Sequence, residues 1–254
     1  MFTCVASISD KECITSTDPG LICILDDTGA QQKLHLVKSL DFGVNSVSVD
    51  PGSGDVWFGG RDRTFRKCSI KQLREEVHRD SSPPPSPLLQ ASRSKAVAIV
   101  SMGIISAQMI TVDSTRAIRV CSLEKLEDGH IEDQADVSMP AHKDAVLGLG
   151  SLTSSNTYSA DFFTWSCYGA VSFWDLQGKC RATKTIELEQ PSRNDDDANE
   201  LKILRAIEDM GVFVSGDRYG VLRFVSLPML FPRLWLVADF AFQGYQGRDM
   251  GMHK

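Results

Sequence analysis

The sequence predicts an all-β protein built from one antiparallel unit repeated along the chain, and three observations carry that expectation. Ser159–Leu176, SADFFTWSCYGAVSFWDL, is an aromatic and β-branched run, a Tyr168-Gly169 turn, and a second run closing on Trp174-Asp175, which is the pattern of a tight β-hairpin. The strand after that turn recurs: aligning Gly169 with Gly20, Arg63, Arg116 and Gly220 brings AVSFWDL over LICILDD, TFRKCSI, AIRVCSL and VLRFVSL. The second residue is apolar in every copy (Ile22, Phe65, Ile118, Val171, Leu222) and the sixth is always Asp or Ser. Successive turn positions lie 43, 53, 53 and 51 residues apart, and the longer intervals contain loop-like material. The underlying period is then near the roughly 40–45 residues of a four-stranded unit.

Each unit can be justified strand by strand. The run before the turn is WFGG, QMITV, FFTWS or VFVSG, rich in β-branched or aromatic residues and followed by turn formers. An earlier run is CVASI, VNSVSV, KAVAIV, DAVLGL or LKILRAI, and KLHLVKS, IEDQADVSM and ATKTIEL supply outer strands. The one helical pattern is Ile70–His78, where Ile70, Leu73 and Val77 share a face. It runs into HRDSSPPPSP and is read as part of an insertion.

Composition narrows the class. The 254 residues are 42% hydrophobic and 24% charged, ordinary for a folded globular chain. The formal net charge of −6 argues against a surface that is basic overall, which a general nucleic-acid binder needs. MFTCVASISDKEC has no basic segment before an apolar core, and Asp10 arrives too early for a signal peptide. No uncharged apolar run reaches the ~18 residues of a membrane helix; the best candidate, Leu234–Phe242, carries Asp239. Seven cysteines (Cys4, Cys13, Cys23, Cys68, Cys121, Cys167, Cys180) are odd in number and never form C-x-x-C, as expected of reduced core thiols in an intracellular protein, cytoplasmic or nuclear.

Trp174-Asp175, the preceding hairpin and His142 in AHKDAVLGLGS resemble the WD40 repeat family. The resemblance implies a β-propeller of four-stranded antiparallel blades, with His142, Ser166, Trp174 and Asp175 as the repeat's structural residues. It implies one propeller domain over 1–254, in units of about 1–40, 41–75, 95–140, 141–190 and 200–228. A Pro/Ser-rich insertion lies at 76–94, an acidic loop at 190–200 and a partial unit at 229–254, where Trp235–Phe242 is one more strand candidate. Family members usually place an Asp just before the turn residue, bonded to the His of the same repeat. Here that place holds Pro19, Asp62, Thr115, Tyr168 and Tyr219, so no unit has the full set and apolar packing is expected to dominate. Five units fall short of the common seven. The chain is therefore expected to be a fragment of a longer propeller protein or part of a ring completed by another chain; the competing expectation is that divergent strands at its ends complete a smaller or open ring.

No G-x-S-x-G, G-x-x-x-x-G-K-[ST] or H-E-x-x-H occurs, so the common nucleophile, phosphate and zinc signatures are absent. The histidines are far apart, and Asp195–Asp197 is followed by no calcium-loop pattern; no cofactor or metal is expected. Arg61–Arg74 is the most charged stretch, with Arg61, Arg63, Arg66 and Lys67 against Asp62. It reads first as a solvated outer strand and second as a dock for an acidic peptide, phosphate or nucleic-acid backbone. Ser82-Pro83 and Ser86-Pro87 are candidate sites for proline-directed phosphorylation in a linker. The expected function is a non-catalytic protein-interaction scaffold within a larger intracellular complex. The alternatives are a chromatin- or RNA-associated propeller using the basic stretch and, last, an enzyme with a channel site.

Overall fold

The computed structural model describes residues 2–9, 11–17, 20–26, 33–39, 43–77, 89–93, 98–126, 135–140, 142–152, 156, 158–188, 198–207 and 211–225. They form five antiparallel sheets, each a meander in chain order. Blade 1 is β1 (Phe2–Ser7), β2 (Glu12–Thr17), β3 (Leu21–Asp26) and β4 (Lys33–Ser39). Blade 2 is β5 (Val44–Val49), β6 (Asp55–Gly60), β7 (Thr64–Ser69) and β8 (Leu89–Arg93), with α1 (Ile70–Val77) between the last two. Blade 3 is β9 (Ile99–Ile105), β10 (Gln108–Asp113), β11 (Ala117–Ser122) and β12 (Val137–Pro140). Blade 4 is β13 (Val146–Ser151), β14 (Phe162–Ser166), β15 (Ala170–Trp174) and β16 (Cys180–Thr185). Blade 5 comprises β17 (Leu201–Ile207), β18 (Val212–Asp217) and β19 (Leu222–Val225) among the described residues.

The blades stack face to face with their innermost strands side by side, in the order β1, β5, β9, β13, β17. Polar bonds link these strands: the Met102 N–H donates to Ser46 Oγ at 3.0 Å and the Leu149 N–H to Ser101 Oγ at 3.3 Å. Each seam is an apolar cluster. Ile14, Ile22 and Ile24 meet Val44, Val56 and Phe58 between blades 1 and 2. Trp57 and Phe65 meet Ile99 and Met109 in the next seam. Ile110, Val112 and Ile118 then meet Phe162 and Trp174, and Phe163, Trp165 and Phe173 meet Leu201, Leu204 and Phe213. The run FFTWS in β14 explains the arrangement. Successive side chains leave a strand on opposite faces, so Phe162 enters one seam and Phe163 the next. A strand covered on both sides is continuously apolar rather than alternating.

Glycines at the inner strand of blade 4 serve the same packing. A Cβ on Gly148 would lie 2.3 Å from the Trp165 ring and one on Gly150 2.5 Å from the Phe163 ring. The missing side chains let aromatics of β14 lie over β13.

The structure differs from the sequence reading in three places. α1 is integral to the core: Leu73 is 2% exposed and packs with Ile70 into the seam of blades 1 and 2. Segment 76–94, read wholly as an insertion, supplies β8, which pairs with β7; the short run around Leu89 carries too little periodicity beside the Pro-rich stretch to be read as a strand. The first strand of blade 3 runs on past the expected KAVAIV to Ile105, while Lys95–Val97 lie outside the described residues.

The expected open architecture appears at the two ends of the row. Blade 1 leaves Val5 and Leu34 each 54% exposed, and blade 5 leaves Ile203, Leu222 and Phe224 at 45%, 45% and 42%. The three blade 5 residues share one face: Ile203 and Leu222 flank Gly216 across the sheet, and Phe224 lies two residues beyond Leu222. None of the seven cysteines is in a disulfide; Cys23, Cys121 and Cys167 are buried and Cys180 is exposed.

Candidate interaction face

Because the strands run antiparallel, the turns after β2, β6, β10, β14 and β18 emerge where the chain enters the innermost strand of each blade. Backbone bonds tie the two regions together: Arg61, Ser114, Cys167 and Arg218 donate their N–H groups to the carbonyls of Gly43, Ala98, Ala145 and Glu200, at 2.8–3.0 Å. This edge, the turn face, carries a loop geometry repeated in every blade.

The five positions aligned in the sequence all have positive φ: Gly20 85°, Arg63 69°, Arg116 71°, Gly169 85° and Gly220 78°. Each donates its N–H to the carbonyl three residues back, at Thr17, Gly60, Asp113, Ser166 and Asp217. Side chains reinforce the turn. Thr17, Asp113, Ser166 and Asp217 accept the N–H of the residue after the turn position at 3.0–3.2 Å. Gly60 has no side chain to do so, and Asp62 accepts the Thr64 N–H instead, at 3.1 Å.

Two of these carboxylates also hold half-buried cations. Asp113 is ion-paired with Arg119, and Asp217 with Arg223 at 2.7 Å. Burial by itself would raise the Asp217 pKa; hydrogen bonds from Asn199, Arg223 and the Val221 N–H, with the Arg223 charge, outweigh it and lower it. Asp62 pairs with Arg66 at 2.7 Å. The blades therefore carry a polar network of their own beside the apolar seams. It escaped the sequence reading because the Asp stands three residues before the turn position rather than one; the spacing Asp113…Arg119, repeated at Asp217…Arg223, was the available signal.

In blade 4, His142 Nε2 and Thr164 Oγ1 share a hydrogen bond of 2.8 Å, and Trp174 Nε1 donates to the same oxygen at 2.9 Å. The hydroxyl between His142 and Trp174 is that of Thr164; Ser166 serves the turn. Asp175 is 3% exposed, accepts the Lys179 N–H at 2.7 Å and pairs with Arg181 at 2.7 Å. Desolvation lowers the His142 pKa, against hydrogen bonding at Thr164 and the charge of Asp144.

The basic stretch proves to be matched by more than Asp62. Lys67 lies 3.7 Å from Asp55 and over the Trp57 ring, Arg74 is ion-paired with Glu12, and Arg61 Nε donates to Asn45 at 3.1 Å. Arg63 occupies the turn position. The fold thus brings carboxylates from β2 and β6 against the cations of β7 and α1. Ser82, Ser86, Asp195–Asp197 and Trp235–Phe242 lie outside the described residues. Among the described residues no three His, Cys, Asp or Glu side chains converge as metal ligands, and no helix is long and apolar enough to cross a membrane.

Beside the exposed arginines Arg61, Arg63, Arg116 and Arg218, the turn face exposes two aromatic residues. Tyr168 is 54% and Tyr219 44% exposed, at equivalent positions of adjacent blades, each just before the positive-φ glycine. The sequence marked both only as departures from an expected Asp.

No protein-family profile matches the sequence, and no curated protein is similar to it. Solved structures do match. The WD40 β-propeller domain of Doa1 superposes with a TM-score of 0.57 at 16% identity, over 89% of this chain and 65% of that one. Raptor of Chaetomium thermophilum superposes with a TM-score of 0.60 at 13% identity, over 89% of this chain and 20% of that one. The fold is that of a WD40 β-propeller. The chain spans less than two-thirds of either matched chain. At these identities the propeller likeness concerns architecture, and a fold of this kind hosts many functions.

Proposed function

We propose that this propeller is a non-catalytic protein-interaction scaffold, a subunit of a larger intracellular assembly, and that its turn face is the principal docking surface. The observation that carries the reading is the pair Tyr168 and Tyr219, exposed at equivalent places on a rigid frame. Tyrosine offers a large contact area at low entropic cost and is enriched where binding energy concentrates. Loops held by a rigid scaffold are the usual carriers of such contacts. The carboxylates beside Arg66, Lys67 and Arg74 leave the basic stretch a weaker candidate for a nucleic-acid backbone than its sequence implied.

The test uses the full chain as bait, with quantitative mass spectrometry of what co-purifies, followed by reconstitution of each binary complex from purified proteins. Tyr168→Ala with Tyr219→Ala is expected to weaken a reconstituted complex at least tenfold while leaving the fold intact. Complexes that bind the double variant as tightly as the parent would overturn the assignment of this face.

A further inference from the structure

The exposed faces at the two ends of the row are the two halves of one kind of seam. In blades 1, 3 and 4 the residues two and four places after the turn position are buried against the next blade: Ile22 and Ile24, Ile118 and Val120, Val171 and Phe173. Blade 2 does the same with Phe65. The equivalent residues of blade 5 are Leu222 and Phe224, and both are exposed.

The receiving half is as regular. Val47, Met102, Leu149 and Leu204 of β5, β9, β13 and β17 are buried against the preceding blade. Three residues before each stands another buried apolar residue, Val44, Ile99, Val146 or Leu201. Strand pairing puts Val5 at the same place in β1. It stands opposite Thr15 just past a shift in register, as Val47 stands opposite Phe58 and Leu149 opposite Thr164. Val5 is nonetheless exposed. The exposed Leu34 shares its face: it pairs with Leu25, and Leu25 points away from Ile24 and blade 2 because neighbouring side chains of a strand alternate.

From this equivalence we infer that the blade 5 face at Leu222 and Phe224 and the blade 1 face at Val5 and Leu34 dock one partner, a second polypeptide chain that inserts an antiparallel β-sheet between them. Exposed apolar surface of this kind marks an interaction site, and the seams already formed say what fits it. β1, β5, β9, β13 and β17 all line one cavity of about 390 Å³, so the row curves and a single partner can reach both ends. The inserted sheet needs two apolar faces, as blade 4 has through Phe162 and Phe163. Its innermost strand needs two apolar residues three apart to meet Leu222 and Phe224. In blades 2 and 3 a serine at the place of Ile203 also accepts an N–H from the next blade, Ser46 from Met102 and Ser101 from Leu149. Ile203 offers no such oxygen, so apolar fit selects the partner here. The 29 residues of 226–254 are too few for a sheet the size of blade 4, which spans the 40 residues Val146–Thr185. The inference goes beyond the turn-face reading and uses different side chains.

The probe is the full chain carrying p-benzoyl-phenylalanine in place of Phe224 or of Val5, irradiated in cells that express it, with the exposed Ser53 of blade 2 as the control position. Both sites should cross-link to one and the same second protein, at segments with apolar residues three apart, and the control should not. With that protein purified, Phe224→Asp and Val5→Asp should each weaken the reconstituted complex at least tenfold; Phe224→Ser serves if Phe224→Asp does not fold. Cross-links from the Phe224 site to residues 226–254, to blade 1 of a second copy, or to nothing beyond the control would overturn the inference. So would different proteins at the two sites, or variants that bind like the parent. If Tyr168→Ala with Tyr219→Ala weakens the complex and the aspartate variants do not, this inference fails while the turn-face reading stands; the reverse result overturns the turn face for that complex and supports the end faces.

Discussion

Thr164 is a single oxygen on which two side chains depend. The half-buried His142 and the buried Trp174 both bond to this fully buried oxygen, so Thr164→Val keeps the shape while removing the shared partner. We expect a loss of about 1–3 kcal/mol, measured by urea unfolding. The same site has a pH dependence. Burial lowers the His142 pKa from its ordinary 6.5, so between the folded and unfolded values the unfolded chain binds more protons. Stability from this residue is then complete above about pH 6.5 and is lost as pH falls toward the folded value. Comparing unfolding midpoints of the parent and His142→Gln from pH 7.5 to 5 should show a steeper decline in the parent. Asp113 presents the opposite chemistry, a carboxylate 3% exposed against an arginine 12% exposed. Asp113→Ala removes the ion-pair partner of that cation and the acceptor of three donors, and a cost of about 3–5 kcal/mol is expected in the same assay.

At the scale of the element, the turn at each positive-φ position shows how much was readable from a one-dimensional alignment. Gly20, Arg63, Arg116, Gly169 and Gly220 were matched by the strand pattern that follows each of them, and all five have positive φ. Local rules decide such turns, because the donor, acceptor and φ preference all lie within a few residues. What the alignment could not supply is the surroundings. A Cβ at Gly169 would sit 2.3 Å from the Ile186 carbonyl oxygen, while one at Gly220 meets nothing within 4 Å. Gly220→Ala should therefore cost about 1–2 kcal/mol for its left-handed backbone. Gly169→Ala adds a clash with main chain and should cost about 2–4 kcal/mol. Thermal unfolding of the two variants separates the contributions, and equal losses would show that the contact with Ile186 is relieved by a small shift.

Among the described residues the main contacts between blades join neighbours in the row, so stability should spread along it as a sum of blades and seams. Phe213 stands edge-on to Phe163 at 5.0 Å in the seam of blades 4 and 5. Phe213→Ala is expected to cost about 3–5 kcal/mol, and hydrogen exchange should accelerate in β17–β19 and β13–β16 while blades 1 and 2 keep the parent's protection. Uniform acceleration over all five blades would indicate a single cooperative unit instead.

The sequence by itself determined the repeat, the class of fold and the position of the five aligned turns, because these depend on spacing, on the apolar character of each strand and on residues close together in the chain. It also located Trp174 and His142. Only the tertiary structure decided which groups meet: Thr164 between that pair, Asp55 and Glu12 against the basic stretch, Leu73 in a seam, and Tyr168 and Tyr219 exposed at equivalent turns of adjacent blades. The reason is physical. Periodicity records which face of a strand is buried, but partners that lie on different blades are chosen by how the sheets stack, and that geometry brings together residues up to 200 positions apart, such as Val5 and Arg205 around one cavity.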